Sequence, residues 1–178
     1  MIAALAGRRV DSGSDEKPRF PLSNVASVRA RLFEALQQPG IGTLVSSAAC
    51  GADLLALEVA RAIGLRRRVI LPFPPQRFCD TSVTDRSGEW GPMFDEAVAD
   101  AGRRGDLVVL DLDASEGDQA YRATNRRILD EAQVLAGGTE VKAIVVWDGV
   151  RRGEVDMTAD FLEEAERRGI PVSVVSTL

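Results

Sequence analysis

Leu44-Val45-Ser46-Ser47-Ala48-Ala49-Cys50-Gly51-Ala52-Asp53 opens as an apolar strand and closes as the first turn of a helix. Thr43, Leu44 and Val45 suit a buried strand, and apolar residues recur at helical spacing from about Ala52 to Gly64. Five small residues and a glycine lie between. A strand that turns through small residues into a helix leaves backbone N–H groups outward, at the positive end of the helix dipole. Phosphate or carboxylate groups bind such turns, because small side chains let them approach the backbone. The alternative is a turn in which Ser47 or Asp53 caps the helix and nothing binds. The stretch is neither a Walker loop nor a Gly-x-Gly-x-x-Gly fingerprint.

Outward from this turn, apolar runs alternate with helical patterns. Ile2–Ala6, Arg68–Phe73, Leu107–Leu112, Val141–Trp147 and Pro171–Val175 read as five further strands. Helices are expected with Val25, Val28, Leu32 and Leu36 on one face, then over Pro92–Ala101, Gln119–Ala136 and Thr158–Arg168. Asp11–Pro21 reads as a loop. Residues 74–92, rich in proline and polar side chains, read as a long irregular loop that Phe78 and Trp90 fold back onto the domain. Six strands alternating with five helices predict an α/β fold, a single doubly wound, Rossmann-like domain over 1–178 with helices on both faces of a parallel sheet. The expected strand order is 3-2-1-4-5-6, with a ligand crevice at the carboxyl ends of the strands where the order reverses. Gly7-Arg8, the small-residue turn and Asp111 would converge there.

Composition narrows the chemistry. At 178 residues the chain supports one substantial core, and a net charge of −5 argues against a nucleic-acid partner. There is no histidine, which removes imidazole bases, Ser-His-Asp and Cys-His machinery and histidine-containing metal sites. Cys50 and Cys79 form neither a disulfide framework nor a metal knuckle, so no metal is expected. Cys50, at the turn, reads as a reactive thiol or a small buried residue. Ile2–Ala6 is too short for a signal peptide, and no run approaches the roughly 18 apolar residues of a membrane span. A cytoplasmic protein with no membrane partner is the expectation. Of 22 basic residues only Lys17 and Lys142 are lysines, and several arginine doublets fall where helices end.

Two further groups carry chemistry. Tyr121 and Asn125, four apart in the first turns of one helix, place polar ends at the crevice; alternatively, the tyrosine packs and the asparagine meets a neighbouring backbone. Trp147-Asp148-Gly149 and the following Gly153–Thr158 form a second strand-to-helix turn, read either as another set of N–H donors or as a surface turn capped by Asp or Thr.

These motifs together resemble the SLOG superfamily, which contains the Lonely Guy phosphoribohydrolases and DprA-like DNA-processing proteins. The resemblance spans Gly7-Arg8, Ser47–Leu54, Leu71-Pro72-Phe73, Tyr121…Asn125…Ile128 and Val145–Gly149. It implies a nucleotide-binding sensor of bacterial signalling or defence, or an N-glycosidase. It further implies that Gly7, Arg8, Ser47, Ala48, Ala49, Cys50 and Gly51 hold a nucleotide-derived ligand. On that reading Arg8 pairs with phosphate and Tyr121 and Asn125 read base or sugar. Asp111, Asp148 and Gly149 lie beside the ribose, and Asp53 bonds structurally at its helix start. The phosphoribohydrolases' Pro-Gly-Gly-x-Gly-Thr-x-x-Glu motif is absent: Gly153–Thr158 has a single glycine and no glutamate at that spacing. Nucleoside deoxyribosyltransferases supply a second resemblance, through Asp148-Gly149, Asp156, Thr158 and Glu163 or Glu164. The expected function is therefore a ligand-binding sensor that needs no cofactor and self-associates. The alternative is an N-glycosidase, with Asp148 and Glu164 as foremost catalytic candidates and Asp111, Asp156 and Glu163 behind them.

Overall fold

The computed structural model describes residues 1–13 and 17–178. The expected loop at 11–21 includes residues 14–16, which lie outside the described residues. Six parallel strands, β1 (Ile2–Gly7), β2 (Thr43–Ser46), β3 (Arg66–Leu71), β4 (Leu107–Val109), β5 (Val141–Trp147) and β6 (Val172–Ser176), form one sheet. Among the described residues six α-helices accompany them, α1 (Val25–Leu36), α2 (Ala52–Ala62), α3 (Pro75–Ser82), α4 (Trp90–Arg104), α5 (Asp118–Ala136) and α6 (Met157–Arg167), with short 3-10 turns at Leu22–Asn24 and Ala114–Glu116.

Period-2 alternation divides the core. Ala3 and Leu5 of β1, with Ile144 and Val146 of β5, face α1, α2 and α4. Ile2, Ala4 and Ala6, with Ala143 and Val145, face α5 and α6 around Ile128, Leu129 and Phe161. Buried on both faces, these strands read as continuous apolar runs, as parallel strands must.

The sheet order is β4-β3-β2-β1-β5-β6. It keeps the doubly wound, Rossmann-like plan and corrects one position: the fourth strand lies at the edge beside β3, not beside β1. Length and burial explain this. β4 has three residues, none fully buried, whereas β5 has seven with a buried Ala-Ile-Val-Val centre and takes the central place next to β1. After β4 the 19-residue α5 carries the chain back, packing on β3, β2, β1 and β5. The reversal therefore falls between β1 and β5.

The long loop expected at 74–92 is mostly helical. Pro75 occupies the first turn of α3, where its missing N–H costs nothing. Phe78 then stacks on Phe94 at 6.1 Å, and the indole N–H of Trp90 donates to the Ser87 carbonyl at 2.8 Å.

Two glycines let the turns after β1 and β2 interlock. A Cβ on Gly7 would lie 2.4 Å from the Ala52 Cβ and 2.7 Å from that of Val146. One on Gly51, whose φ is +92°, would lie 2.8 Å from the Arg8 carbonyl oxygen. Gly7→Ala should lower the urea midpoint, by roughly 1–3 kcal/mol of stability as for other overpacked sites. Gly42→Ala, whose methyl would meet nothing within 4 Å, should leave the midpoint nearly unchanged.

Candidate functional site

At the carboxyl ends of β1, β2 and β5 lies a cavity of about 360 Å³, within the range of small-molecule sites. The segment 6–11 and Arg19 form one wall, and Ser47, Ala49 and Asp53 another. Phe78 and Ser82 of α3 and the adjoining Arg86 form a third. One face of α5, with Asp118, Tyr121, Thr124, Asn125 and Ile128 at helical spacing, closes it against Arg152 and the start of α6.

Of the residues expected to contact ligand, Gly7, Arg8, Ser47, Ala49, Tyr121 and Asn125 line this cavity. Ala48 and Cys50 are buried behind it, and Gly51 lies under the Arg8–Val10 backbone. The expected amide cradle is partly used within the protein. Ala49 N–H donates to Asp53 Oδ2 at 3.2 Å, and Cys50 N–H to the Ser82 carbonyl at 3.0 Å. Burial pushes the Cys50 thiol up despite the neighbouring Arg9, so the small buried residue is the better description.

Arg8 is an internal tie. Its Nε donates to Asp148 Oδ1 at 3.0 Å, Nη1 to Asp156 Oδ1 at 2.7 Å and Nη2 to the Val150 carbonyl at 2.7 Å. The guanidinium also stands over the Trp147 ring at 5.6 Å. Arg19 takes the second oxygen of Asp148 at 2.7 Å. Asp156 caps α6 by accepting from Thr158 and Ala159 N–H, and its other oxygen accepts from Arg152 N–H. The positive end of α6 is thus filled by its own capping carboxylate, the second of the two readings of Gly153–Thr158. Asp148 and Gly149 form the turn behind the cavity.

The remaining acidic candidates lie elsewhere. Asp111 is exposed beyond the edge strand β4, in a left-handed conformation with φ 51°. Relocating β4 removes it from the crevice. Glu164 pairs with Arg167 and Arg168, and Glu163 with Arg151, on the outer side of α6. The Glu164 pairs have the ordinary i, i+3 and i, i+4 helix spacing, and the Glu163 pair ties the preceding loop to the helix surface.

Tyr121 and Asn125 combine both readings made of them. The Tyr121 hydroxyl lies 2.9 Å from Ser82 Oγ, and its ring meets Phe73 edge-on at 5.8 Å. Asn125 Nδ2 donates to the Met157 carbonyl at 2.8 Å. Each joins two walls of the cavity while facing into it.

Asp53 was expected to bond structurally at the helix start, and its Oδ2 does so. Its Oδ1, buried, has no hydrogen-bond partner among the described residues. Burial pushes this carboxyl up from 3.8 to about 7, against the opposing pulls of the Ala49 amide and Arg9. Sequence reasoning missed Arg9, Arg19, Ser82, Arg86 and Thr124 as cavity residues. The i, i+4 spacing of Phe78 and Ser82 was the available signal for the α3 wall.

Neither a scan against protein-family models nor a search of curated proteins finds a match to this sequence. Among the described residues no cluster of three His, Cys, Asp or Glu could hold a metal, and no helix is long and apolar enough to cross a membrane.

Arg8→Ala would take the guanidinium from two buried carboxylates, leaving Asp148 to Arg19 and Asp156 to its three amide donors, and should cost about 3 kcal/mol in denaturant unfolding. Arg8→Lys should not restore the loss, since a single ammonium cannot reproduce the guanidinium fork. Opposite pH effects should follow from the two aspartates. Burial raises Asp156, but the Arg8 guanidinium and the Ala159 and Arg152 amides outweigh it and hold the carboxyl low. Its stabilisation is present above the unfolded value near pH 3.9 and lost as pH falls through the folded value. Asp53, raised in the folded state, stays protonated where the unfolded chain has released its proton. Its contribution is full below about pH 4 and is lost as pH rises to about 7. Unfolding of Asp53→Asn across pH 4–8 should lack that decline.

Proposed function

We propose that this protein binds a nucleotide or nucleotide-derived small molecule in the cavity and acts as a ligand sensor. The observation that carries the reading is the position of the cavity. It opens where the sheet reverses between β1 and β5, the place at which open α/β sheets bind ligands, with both glycine-bearing turns and the Tyr121–Asn125 face on its walls. A place among SLOG-like proteins belongs to the same proposal, resting on the motifs around Gly7, Ser47–Leu54 and Tyr121…Asn125.

Engagement of Arg8 with two aspartates, and of the Ala49 and Cys50 amides within the fold, moves the expected phosphate contact outward. Arg19, whose Nη1 is held by Asp148 and the Val150 carbonyl while its other guanidinium nitrogens serve the ligand, and Arg152, beside the capped start of α6, become its cationic partners. Arginine suits this role through its planar array of donors. Arg8 keeps the site in shape by holding the turns after β1 and β5 together.

Binding without efficient turnover is the corresponding expectation. A glycosidase needs a carboxylate presented to the anomeric carbon. Asp148 and Asp156 each meet arginine on one side and further donors on the other, and Glu163 and Glu164 face away. Self-association is proposed through the edge strand β6, where Val174 and the nearby Leu178 are exposed.

Calorimetry against AMP, GMP and NAD tests the reading. Saturable binding is expected, with Arg19→Ala weakening it roughly ten- to a hundredfold, the value of a charge-assisted hydrogen bond. Chromatography after incubation with nucleoside monophosphates, deoxynucleosides and NAD should show no sustained release of free base. Binding by none of these compounds would overturn the reading, and sustained release would replace the sensor with an enzyme.

A further inference from the structure

Resting on that reading, we infer that Asp53 is the inner recognition group of the cavity. Its unpartnered Oδ1 accepts a hydrogen bond from an O–H or N–H of the nucleoside end of the ligand, which enters first and leaves the phosphate outside.

The cavity is graded in depth. Asp53, Phe78, Ser82, Thr124 and Ile128 are buried, whereas Arg152, Val155 and Asp118 on the opposite side are exposed. An anion driven to the buried end would meet a carboxyl; a sugar or base would meet apolar surface and hydroxyls. The neighbouring hydroxyls are also committed. Thr124 donates to the Ala120 carbonyl at 2.9 Å, and Ser82 and Tyr121 bond each other. A donating hydroxyl can still accept, but each of these already has a partner; Asp53 Oδ1 is the buried side-chain oxygen among the described residues that has none, and it gains most from a hydrogen of a bound molecule.

A donor is favoured over an acceptor by the forces already acting on this carboxyl. The Ala49 amide on Oδ2 and the charge of Arg9 both favour the ionised form, and only desolvation opposes it. A ligand hydrogen on Oδ1 would supply the bond that burial removed, in its stronger, charge-assisted form. Binding then releases the proton that Asp53 carries in the empty protein.

The other ionisable groups around the cavity come from every wall. Arg8, Arg9 and Asp11 follow β1, with Arg19 beyond them. Cys50 stands in Asp53's own turn, and Arg86 follows α3. Asp118 and Tyr121 are on α5, and Arg152 and Asp156 precede α6. Arg8 and Arg9 are held charged by their aspartates, Asp156 is held low by Arg8 and two amides, and Cys50 is pushed up by burial.

The experiment is calorimetry with AMP, adenosine, 2′,3′-dideoxy-AMP and ribose 5-phosphate at pH 5.5, 7.0 and 8.5, on the wild type and Asp53→Asn. Each titration is run in two buffers of different ionisation enthalpy. Wild-type affinity for AMP should weaken as pH falls below about 7, approaching tenfold per pH unit, with net proton release near neutrality. Asp53→Asn should bind AMP roughly ten- to a hundredfold more weakly and without that dependence. Proton release on binding adenosine, which has no phosphate of its own to titrate, needs no variant and tests the inference even if Asp53→Asn fails to fold. Loss of the pH effect with 2′,3′-dideoxy-AMP assigns the hydrogen to the sugar, and its persistence assigns it to the base amino group. AMP binding with no proton release overturns the inference and leaves the nucleotide reading standing. Binding of none of the four probes overturns both.

Discussion

The contact on which the structure depends is the near-touching of two backbone turns. After β1 the chain passes over the start of α2 so closely that Gly7 meets Ala52 and Gly51 meets the Arg8–Val10 backbone. Hydrogen bonds from Arg8 N–H to the Val146 carbonyl at 2.8 Å and from Ala52 N–H to the Arg8 carbonyl at 3.1 Å fix the approach. Side chains larger than hydrogen at positions 7 and 51 would separate these turns. With that approach made, Arg8 emerges at the junction of β1 and β5 and the cavity has a fixed wall.

The second determinant is electrostatic, and its value is geometric. A buried arginine among carboxylates is seldom a source of net stability, because both partners give up hydration. Arg8 nevertheless joins three chain segments with one planar group, and each acceptor lies where a guanidinium N–H points. Asp156 couples that group to the first turn of α6 by serving as its cap. The position of α6 and the position of the cavity wall are thereby set together. Asp53 stands apart from this network: its charge is met by one amide and a distant arginine, and it is the acid left near neutrality.

How far the sequence could be read differs between the sheet and the site. Strands buried on both faces announce themselves as apolar runs, so β1, β2 and β5 were legible, as were helices α1, α2, α4 and α5. The place of β4 was not, because adjacency in the sheet depends on the crossover made by α5, and local periodicity does not encode that path. Pro74-Pro75 reads as a break, yet proline also starts helices, and only the packing of Phe78 on Phe94 distinguishes the two. At the site, the glycines and Arg8 were visible as motif members, and Tyr121 and Asn125 as a helix face. The partners of Arg8 were not visible, since its acids lie 140 and 148 residues away. A motif identifies residues that stand together; it does not say whether their donors are already spent.

That separation orders the assembly of the molecule. Strands β1 to β4, with α1 to α4, are complete by about the first 110 residues of synthesis, and β2, β3 and β4 find all their strand neighbours within that span, whereas β1 still lacks β5. Arg8 lacks its partners too. Its acceptors come from residues 148–156, so on the ribosome the first turn of the protein waits with an uncompensated cation until nearly all of the chain has emerged. The pairing of β5 with β1 then brings the acids to the arginine and α5 to the cavity in one event. A chain truncated before β5 would keep four of the six strands and lack the residues from Arg152 to Thr158 that close the cavity.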